Sequence, residues 1–210
     1  MKPIHVRNLA IAIGVAVTVA LGMSLLMSLA GAEFAPNIAF APAVFLGGLT
    51  FYVLWNLSGN RKVARASEAQ REEALSLIPP PEQALLYIVR QGFVAKAAGM
   101  DIVLDGSLRA QLKAPQFTCF AVAPGPHELS AAFSGGAGAQ SQSQTEPLML
   151  EAGQAIGILA LPQMGMVKNS IAFETLRGQQ LQQTIRGMTM VLPLEASPAR
   201  DDATSPLSAR

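Results

Sequence analysis

The fold class is decided by Leu9-Ala-Ile-Ala-Ile-Gly-Val-Ala-Val-Thr-Val-Ala-Leu-Gly-Met23, the start of an apolar run that extends to Ala32. A second apolar run follows from Phe34 to Leu57, and only Glu33 interrupts the two. A helix needs roughly 20 apolar residues to cross a hydrocarbon core about 30 Å thick. Each run meets that length, so the sequence predicts a transmembrane helical hairpin.

Charged and aromatic residues at the ends of the two runs predict how the hairpin is oriented. Lys and Arg are retained on the cytoplasmic side of a membrane, and Tyr and Trp favour the headgroup layer. Bases lie before the first run and after the second, whereas the connecting loop has an acid and no base. We therefore expect both termini in the cytoplasm, with two spans in a bacterial inner membrane. The residues assigned to the membrane interface and topology are Lys2, Arg7, Tyr52, Trp55, Arg61, Lys62 and Arg65.

A cleaved signal peptide is the alternative for the first run. Ala30-Gly31-Ala32 is a small-x-small site of the kind that signal peptidase accepts. The apolar region of a signal peptide has only about 7 to 15 residues, however, and this run is longer. Signal-peptide cleavage after Ala32 therefore remains an alternative. The bases after the second run would hold the C-terminal part in the cytoplasm in either case.

Small residues recur at every fourth position of both runs and predict a helix–helix seam. They are Ala10, Gly14, Thr18 and Gly22 in the first run and Ala39, Ala43 and Gly47 in the second. Neither run contains an ionisable residue, which a proton relay or an ion pathway usually needs. The runs are therefore expected to anchor the protein, and a transporter is disfavoured.

Residues 58–78 are rich in helix formers, and three prolines follow them at positions 79–81. We expect a solvated helix that extends the second span and stops at the prolines, because proline removes a backbone donor. Arg65 with Glu68, and Glu68 with Arg71, are opposite charges three residues apart that would support this helix.

The predicted organisation has four parts. They are a hairpin over residues 1–60 with spans at about 9–31 and 36–57, a helical and then Pro-rich linker over 61–81, a β-sandwich over 82–194, and a disordered tail over 195–210. The tail is Pro, Ser, Asp and Ala with scattered Arg, and it cannot bury enough apolar surface to order itself.

Turn signals and a hydrophobic period of two predict the sandwich. Asp105-Gly106 is a strong hairpin signal, because both central positions of a type I′ turn need positive φ. In the strand that follows, Leu108, Ala110 and Leu112 are expected to face a core, and Arg109, Gln111 and Lys113 to face water. The residues assigned to structural turns are Asp105, Gly106, Pro124 and Gly125.

Short apolar segments at regular spacing predict the other strands. These segments are 84–89, 100–105, 117–122, 129–133, 146–150, 155–161, 170–175 and an edge strand at 188–192, with a short helix at 179–185. The Gly/Ser/Gln stretch 134–144 has little to bury and predicts a mobile hairpin loop. The fold class is therefore a two-helix transmembrane hairpin followed by an all-β antiparallel sandwich of about seven strands.

Several of these segments together resemble a known pattern. The succession is Leu86-Tyr-Ile-Val-Arg90, Ile102-Val-Leu-Asp-Gly106, Pro124-Gly-Pro-His127 and Glu151-Ala-Gly-Gln154. It is similar to a bacterial domain-of-unknown-function family of small envelope-associated proteins. The resemblance implies a sandwich like that of PEGA and carboxypeptidase-regulatory domains, and it implies no activity. The chain differs from that family in lacking a lipid-attachment cysteine and in having Ala155 and Ile156 where an aromatic pair is usual.

Charge and cysteine content exclude several functions. The 15 basic and 14 acidic residues give a net charge of +1, so no basic field is present to attract nucleic acid. The only cysteine is Cys119, so neither an intrachain disulfide nor a cysteine cluster for a metal can form. The expected partners are the lipid bilayer and a protein or a second copy of the chain, with no nucleic acid.

Candidate reactive groups are few, and each has a structural explanation. Cys119 and His127 are the only possible nucleophile and base, but Cys119 is in phase with buried strand positions and His127 follows a turn. Asp101, Asp105 and Glu128 lack the spacing that a metal site demands. We therefore assign no catalytic, cofactor-binding or metal-binding residue.

Three functions from different classes follow. The first is a membrane-anchored noncatalytic module that mediates protein interaction or assembly at the inner membrane, because sandwich edges and loops suit recognition. The second is a small-molecule or lipid sensor with a pocket between the sheets. The third, which the residues favour least, is an enzyme that depends on Cys119 and His127.

Overall fold

The structure, a computed structural model, describes residues 3–31 and 36–194, with side chains described for 6–31 and 40–194. Its helices are Pro3–Leu29 (α1), Pro36–Asn56 (α2), Glu68–Leu75 (α3), Gly135–Ala139 (α4) and Gly178–Ile185 (α5). Its strands are Ala84–Arg90 (β1), Met100–Leu104 (β2), Ser107–Leu112 (β3), Gln116–Val122 (β4), Gly125–Phe133 (β5), Gln144–Leu150 (β6), Ala155–Gln163 (β7), Ser170–Arg177 (β8) and Thr189–Met190 (β9). The mostly β fold is confirmed, with nine strands in place of about seven. Lys2, Glu33 and the predicted tail over 195–210 lie outside the described residues.

One helix in the described part of the chain is long and apolar enough to cross a membrane. It is Val6–Leu29 of α1, with 24 residues and a mean hydropathy of 2.4. The apolar part of α2 with described side chains, Phe40–Asn56, is shorter. Length and composition are therefore consistent with a membrane anchor at α1.

The two apolar helices pack side by side in opposite directions. The Asn8 side chain, which is buried near the start of α1, donates from Nδ2 to the Leu54 carbonyl near the end of α2 at 3.2 Å. Ala43 and Gly47 of α2 are buried, as the predicted seam requires. The α1 half of that seam is wrong. Gly47 faces Ala12 and Ala16, so the contact face of α1 is rotated away from Gly14 and Gly22, which have open space around them.

The β domain is a sandwich of two sheets with strand orders β8-β7-β1-β4-β9 and β3-β2-β5-β6. The expectation of a fully antiparallel sandwich is wrong, because β1 pairs with β7 in parallel and β4 pairs with β9 in parallel. Alternation reveals which face a residue occupies but not the direction of a strand. Between β1 and β7 the chain adds β4 to the larger sheet and forms all four strands of the second sheet. It then returns to lay β7 beside β1, and this long crossover makes the pair parallel.

The core has two layers because both faces of the larger sheet are covered. Leu86 and Ile88 of β1 face the interior between the sheets, while Leu85, Tyr87 and Val89 face the layer formed with α3 and α5. All seven residues of β1 are buried for that reason. The prediction that β7 is covered on both faces is also confirmed, since Ile156 to Ala160 are buried.

The segment after α2 does not continue as a helix, so the expected solvated extension is wrong. Residues 64–66 run beside β9, with Ala66 N donating to Met190 O and Leu192 N donating to Ala64 O. The helix starts anew at Glu68 because Ser67 and Gln70 form a capping box. Its Ala74 is buried against the larger sheet. The backbone pairing and this burial stabilise a segment that the sequence predicted to be solvated.

The glycine-rich stretch after β5 is also more ordered than predicted. Residues 135–139 form α4, and Gly136 and Ala137 are buried. The expectation of a mobile loop over 134–144 is therefore wrong. Small residues let this turn of helix pack against the end of α2, a contact that the sequence pattern cannot reveal.

Candidate functional site

One end of the sandwich meets the apolar helices, and we call it the proximal end. It carries the loops over residues 91–99 and 164–169, which follow β1 and β7, together with residues 134–143. Because β1 and β7 are parallel neighbours, their C-terminal ends lie side by side, and the two loops leave the sheet at the same end. The other end, which we call the distal end, carries the turns at 105–106 and 123–126.

Gln111 is the centre of the contact between the proximal end and residues 59–61, which follow α2. We call this contact the junction. The Gln111 side chain is 1% exposed. Its Oε1 accepts from Arg61 N at 2.5 Å, and its Nε2 donates to Gly59 O at 2.9 Å. The same Nε2 contacts Asp101 Oδ1 at 2.7 Å and Ser134 Oγ at 2.9 Å. The prediction that Gln111 faces water is wrong, because the chain after α2 covers this face of β3.

Asp101 lies opposite Gln111 in the β2–β3 ladder and is half-buried. Burial raises the pKa of Asp101, and the hydrogen bond from Gln111 opposes part of that rise. Ser134 Oγ lies 2.9 Å from Gln111 Nε2, whose two protons are shared among three acceptors, and Ser134 donates to Gly99 O at 3.0 Å. The amide of Gln111 therefore has partners on β2, in the loop after β5 and in the segment after α2. A buried polar group in such a network costs free energy if one partner is removed.

Close backbone contacts add to the hydrogen bonds. A Cβ at Gly135 would lie 2.4 Å from Gly59 N, and a Cβ at Gly136 would lie 2.7 Å from the Trp55 ring. Only glycine permits these approaches without displacement. Asn60 completes the junction, since its Nδ2 donates to Ala97 O at 2.9 Å and its Oδ1 accepts from Gly99 N at 2.6 Å.

The last turns of α2 make further polar contacts with the sandwich. Tyr52 Oη donates to Gln140 Oε1 at 3.2 Å, and Gln140 Nε2 donates to Asn56 Oδ1 at 3.1 Å. A hollow of about 360 Å³ lies here, between α2 and the loops that contain Ala97 and Asn169. Both proximal loops therefore reach the level of Tyr52.

Arg90 fixes the loop over residues 91–99 from beneath. Its guanidinium is fully buried and donates to the carbonyls of Ala95, Ala98 and Leu112, and it stacks 4.9 Å from the centroid of the Phe133 ring. Burial lowers the pKa of Arg90 to about 10. Within the described residues no carboxylate forms an ion pair with it. Arg90 therefore depends on carbonyl groups for its polar contacts, and the loop depends on Arg90 for its shape.

The predicted interface residues occupy several environments. Arg7, Arg61, Lys62 and Arg65 are exposed, and Tyr52 is half exposed. Trp55 is partly buried against α4 of the sandwich, so its ring also serves the junction. Arg65 forms no ion pair with Glu68, whereas the predicted pair of Glu68 with Arg71 is present at 3.2 Å.

The predicted turn residues come together at the distal end. Asp105 and Gly106 both have positive φ, as a type I′ turn requires. Asp105 Oδ2 contacts His127 Nδ1 at 2.7 Å, and Asp105 Oδ1 accepts from Glu128 N at 2.9 Å. His127 Nε2 contacts the carbonyl of Ala123, just before Pro124 and Gly125. The two turns that the sequence identified separately therefore support each other.

These contacts shift two pKa values. The hydrogen bond with Asp105, and then the one with the Ala123 carbonyl, raise the pKa of His127. Desolvation alone would raise the pKa of Asp105, but hydrogen bonds from the Glu128 amide and His127 outweigh it and lower that pKa. Both ring nitrogens of His127 are engaged away from Cys119.

Cys119 borders the same hollow as His127, which has a volume of about 430 Å³. Burial raises the pKa of the Cys119 thiol to about 12, although a hydrogen bond with Tyr87 opposes the rise. A thiol must lose its proton to act as a nucleophile or metal ligand. Among the residues that the structure describes, no group of three or more His, Cys, Asp or Glu side chains is placed to hold a metal ion.

Comparisons with known proteins add no assignment. No model of a known protein family matches the chain, and a search of the curated proteins finds no similar sequence.

Sequence reasoning missed three residues that shape or hold the proximal end, Gln111, Arg90 and Asn60. Arg90 gave one usable signal, because it ends a run of six apolar residues in a strand predicted to be buried. Gln111 gave a misleading one, since alternation placed it on the face opposite the core. Asn60 gave none, because its partners lie 37 or more residues away.

Proposed function

We propose that the protein is a membrane-anchored noncatalytic module that mediates protein interaction or assembly at the bacterial inner membrane. In this proposal the apolar helices form a hairpin of two spans, and the sandwich is held against its cytoplasmic end. The observation that carries the proposal is the Gln111 junction, which ties the end of α2 to the sandwich by buried hydrogen bonds. A tether alone would need no such contacts.

The second span is supported by the dimensions and packing of α2. Its 21 residues rise about 31 Å at 1.5 Å per residue, close to the thickness of a hydrocarbon core. Its antiparallel packing against α1 places both helix ends that carry basic neighbours on one side. The exposed bases Arg7, Arg61, Lys62 and Arg65 then favour the cytoplasmic side for the sandwich.

A noncatalytic role is supported by the state of the two candidate reactive groups. The pKa of Cys119 is raised to about 12, so the thiolate is scarce near neutral pH. His127 is bonded to Asp105 and to a backbone carbonyl. A fixed sandwich offers instead a surface with a constant orientation to the membrane, which suits recognition of another membrane-bound protein.

Cysteine accessibility tests the topology. In a Cys119→Ala background, a cysteine at Glu33 should react with a membrane-impermeant maleimide added to the periplasmic side of spheroplasts. A cysteine at Gly153, at the distal end, should react only after permeabilisation. Reaction of the cysteine at Gly153 in sealed spheroplasts would contradict the cytoplasmic placement, and loss of residues 1–32 in the intact mass would show that the first run is a signal peptide.

Affinity capture of the full chain from crosslinked membranes tests the interaction role. A specific protein or a second copy should be enriched. The Gln111→Leu variant should lose that enrichment because it releases the sandwich from the end of α2. Recovery of an inert monomer from the native chain would contradict the proposal.

A sensor of small molecules or lipids is the second candidate, favoured by the hollow beside His127 and Cys119. A thermal-shift screen of the full chain in detergent should then find ligands, and a Val122→Trp variant that fills the hollow should lose the response. A screen without hits would remove this candidate.

A further inference from the structure

The two proximal loops expose an unusual amount of apolar surface. Phe93 is 89% exposed, Met164 81%, Met166 106% and Val167 92%. Beyond residue 60, the only other large apolar side chains exposed in the described residues are Ile78 and Met149. Four of the six therefore project from two loops at one end of the sandwich, whereas scattered single exposures would need no explanation.

The position of these loops indicates what covers them. Residues 94–98 and Asn169 border the hollow beside Tyr52 in α2, so both loops lie next to the apolar helix where it reaches the sandwich. Asn60, just after α2, holds the first loop through Ala97. The second is joined to the segment just after α4 by paired backbone hydrogen bonds, from Gln142 N to Asn169 O and from Asn169 N to Gln140 O. The two loops that carry the exposed apolar side chains therefore lie next to the apolar helices.

The loops also carry positive charge, which an anionic bilayer surface attracts. Lys96 and Lys168 are exposed beside the apolar side chains, and residues 91–99 and 164–169 contain no acid. Basic residues near an anionic leaflet are attracted to its surface, while Phe and other apolar side chains enter the boundary between headgroups and acyl chains.

We propose that Phe93, Met164, Met166 and Val167 insert into the headgroup region of an anionic bilayer, with Lys96 and Lys168 contacting the lipid headgroups. This inference rests on the proposed membrane anchor and gives the anchored sandwich a second point of attachment. Two insertions beside α2 act together with the Gln111 contacts to fix the tilt of the sandwich. Arg90 acts as a positioning residue, because its bonds to Ala95 and Ala98 shape the loop that presents Phe93.

Depth-dependent quenching of a fluorescent label tests the insertion. The full chain, with Cys119→Ala, is reconstituted into nanodiscs that contain phosphatidylglycerol and brominated phosphatidylcholine, and bimane is attached at Val167→Cys. The matched control is Met149→Cys, whose side chain is similarly exposed but pairs with Pro126 at the distal end. Bromine should quench the label at 167 several times more strongly than the label at 149.

A third label separates this inference from the anchor itself. Bimane at Val17→Cys, within α1, should be quenched if the helix is in the bilayer. Quenching at 17 with equal, weak quenching at 167 and 149 would overturn the loop insertion and leave the anchor intact. Failure at 17 would overturn both. Protection of the label at 167 from aqueous iodide without quenching by bromine would show that a protein or a second copy covers the loops, which also overturns the proposal.

The lysines supply an independent readout. Replacing both Lys96 and Lys168 with Gln should reduce bromine quenching at 167 in nanodiscs that contain phosphatidylglycerol and leave it unchanged in those that contain only phosphatidylcholine. An equal effect in the two lipids would contradict the headgroup contacts.

Discussion

The two ends of the sandwich are built by different means. At the distal end the Asp105–Gly106 turn and the turn after Ala123 are set by local sequence, and one partly exposed pair with His127 joins them. At the proximal end the loops are held by buried Gln111 and Arg90, whose partners come from distant parts of the chain. The distal end is therefore specified by local sequence, while the proximal end depends on the helix that docks there.

The largest expected effect comes from Arg90→Met, which breaks the support beneath the proximal loop. Three carbonyl groups lose their donor, and since a buried unsatisfied group costs about 1 to 3 kcal/mol, we expect the free energy of unfolding to fall by about 3 kcal/mol. Urea unfolding of the full chain in detergent, followed by circular dichroism, measures this loss.

Arg177→Met is the matched control, since Arg177 is exposed at the end of β8 and should change stability little. Hydrogen exchange should rise at residues 92–98 in the Arg90 variant and stay slow at the distal turns. Equal losses for the two arginine variants would show that Arg90 does not hold the loop.

The next effect is at the junction. Gln111→Leu keeps the approximate volume but leaves Asp101 Oδ1 and Gly59 O without the amide donor, so we expect a loss of about 2 kcal/mol. The released segment should also become more sensitive to trypsin after Arg61 and Lys62. Gln179→Leu, at an exposed position in α5, should leave both quantities unchanged. Unchanged trypsin cleavage in the Gln111 variant would show that Gln111 does not hold the segment after α2 against the sandwich.

Two glycine replacements are expected to lower the free energy of unfolding by a smaller amount. Together they separate the cost of a strained backbone conformation from the cost of a close contact between two backbones. Gly135 and Gly153 both have positive φ, but only Gly135 lies against another backbone, that of Gly59. Gly153→Ala should cost about 1 kcal/mol for its left-handed conformation. Gly135→Ala should cost more and should also increase trypsin cleavage after Arg61. Equal costs, measured by urea unfolding, would mean that the close contact contributes nothing.

The features that could be predicted from the sequence are those set by local residues, and the features that could not are those set by distant contacts. The type I′ turn at Asp105, the alternation through Leu129 to Phe133 and the doubly covered β7 are local patterns, and the structure confirms them. The direction of β7, the helix at Gly135–Ala139 and the burial of Gln111 depend on contacts across more than 20 residues. Periodicity has no access to such contacts, so those expectations were wrong or missing.

The smallest expected effect belongs to the distal end and its dependence on pH. The pKa of His127 is raised in the folded protein, so its contribution is complete below its ordinary value of 6.5 and is lost as pH rises through the raised pKa. The pKa of Asp105 is lowered, so its contribution is present above 3.8 and is lost as pH falls through the lowered pKa. The pair therefore stabilises most between these two ordinary values.

Asp105→Asn tests this without breaking the turn, because Asn tolerates positive φ. Since the pair is partly exposed, we expect it to contribute about 0.5 kcal/mol at pH 5.5 and less at pH 8. The difference in Tm between native chain and variant should shrink across that range, while the difference for Gly153→Ala should stay constant because that substitution removes no contact of a titratable group. A constant difference for Asp105→Asn would show that the turns at the distal end are held by backbone geometry alone.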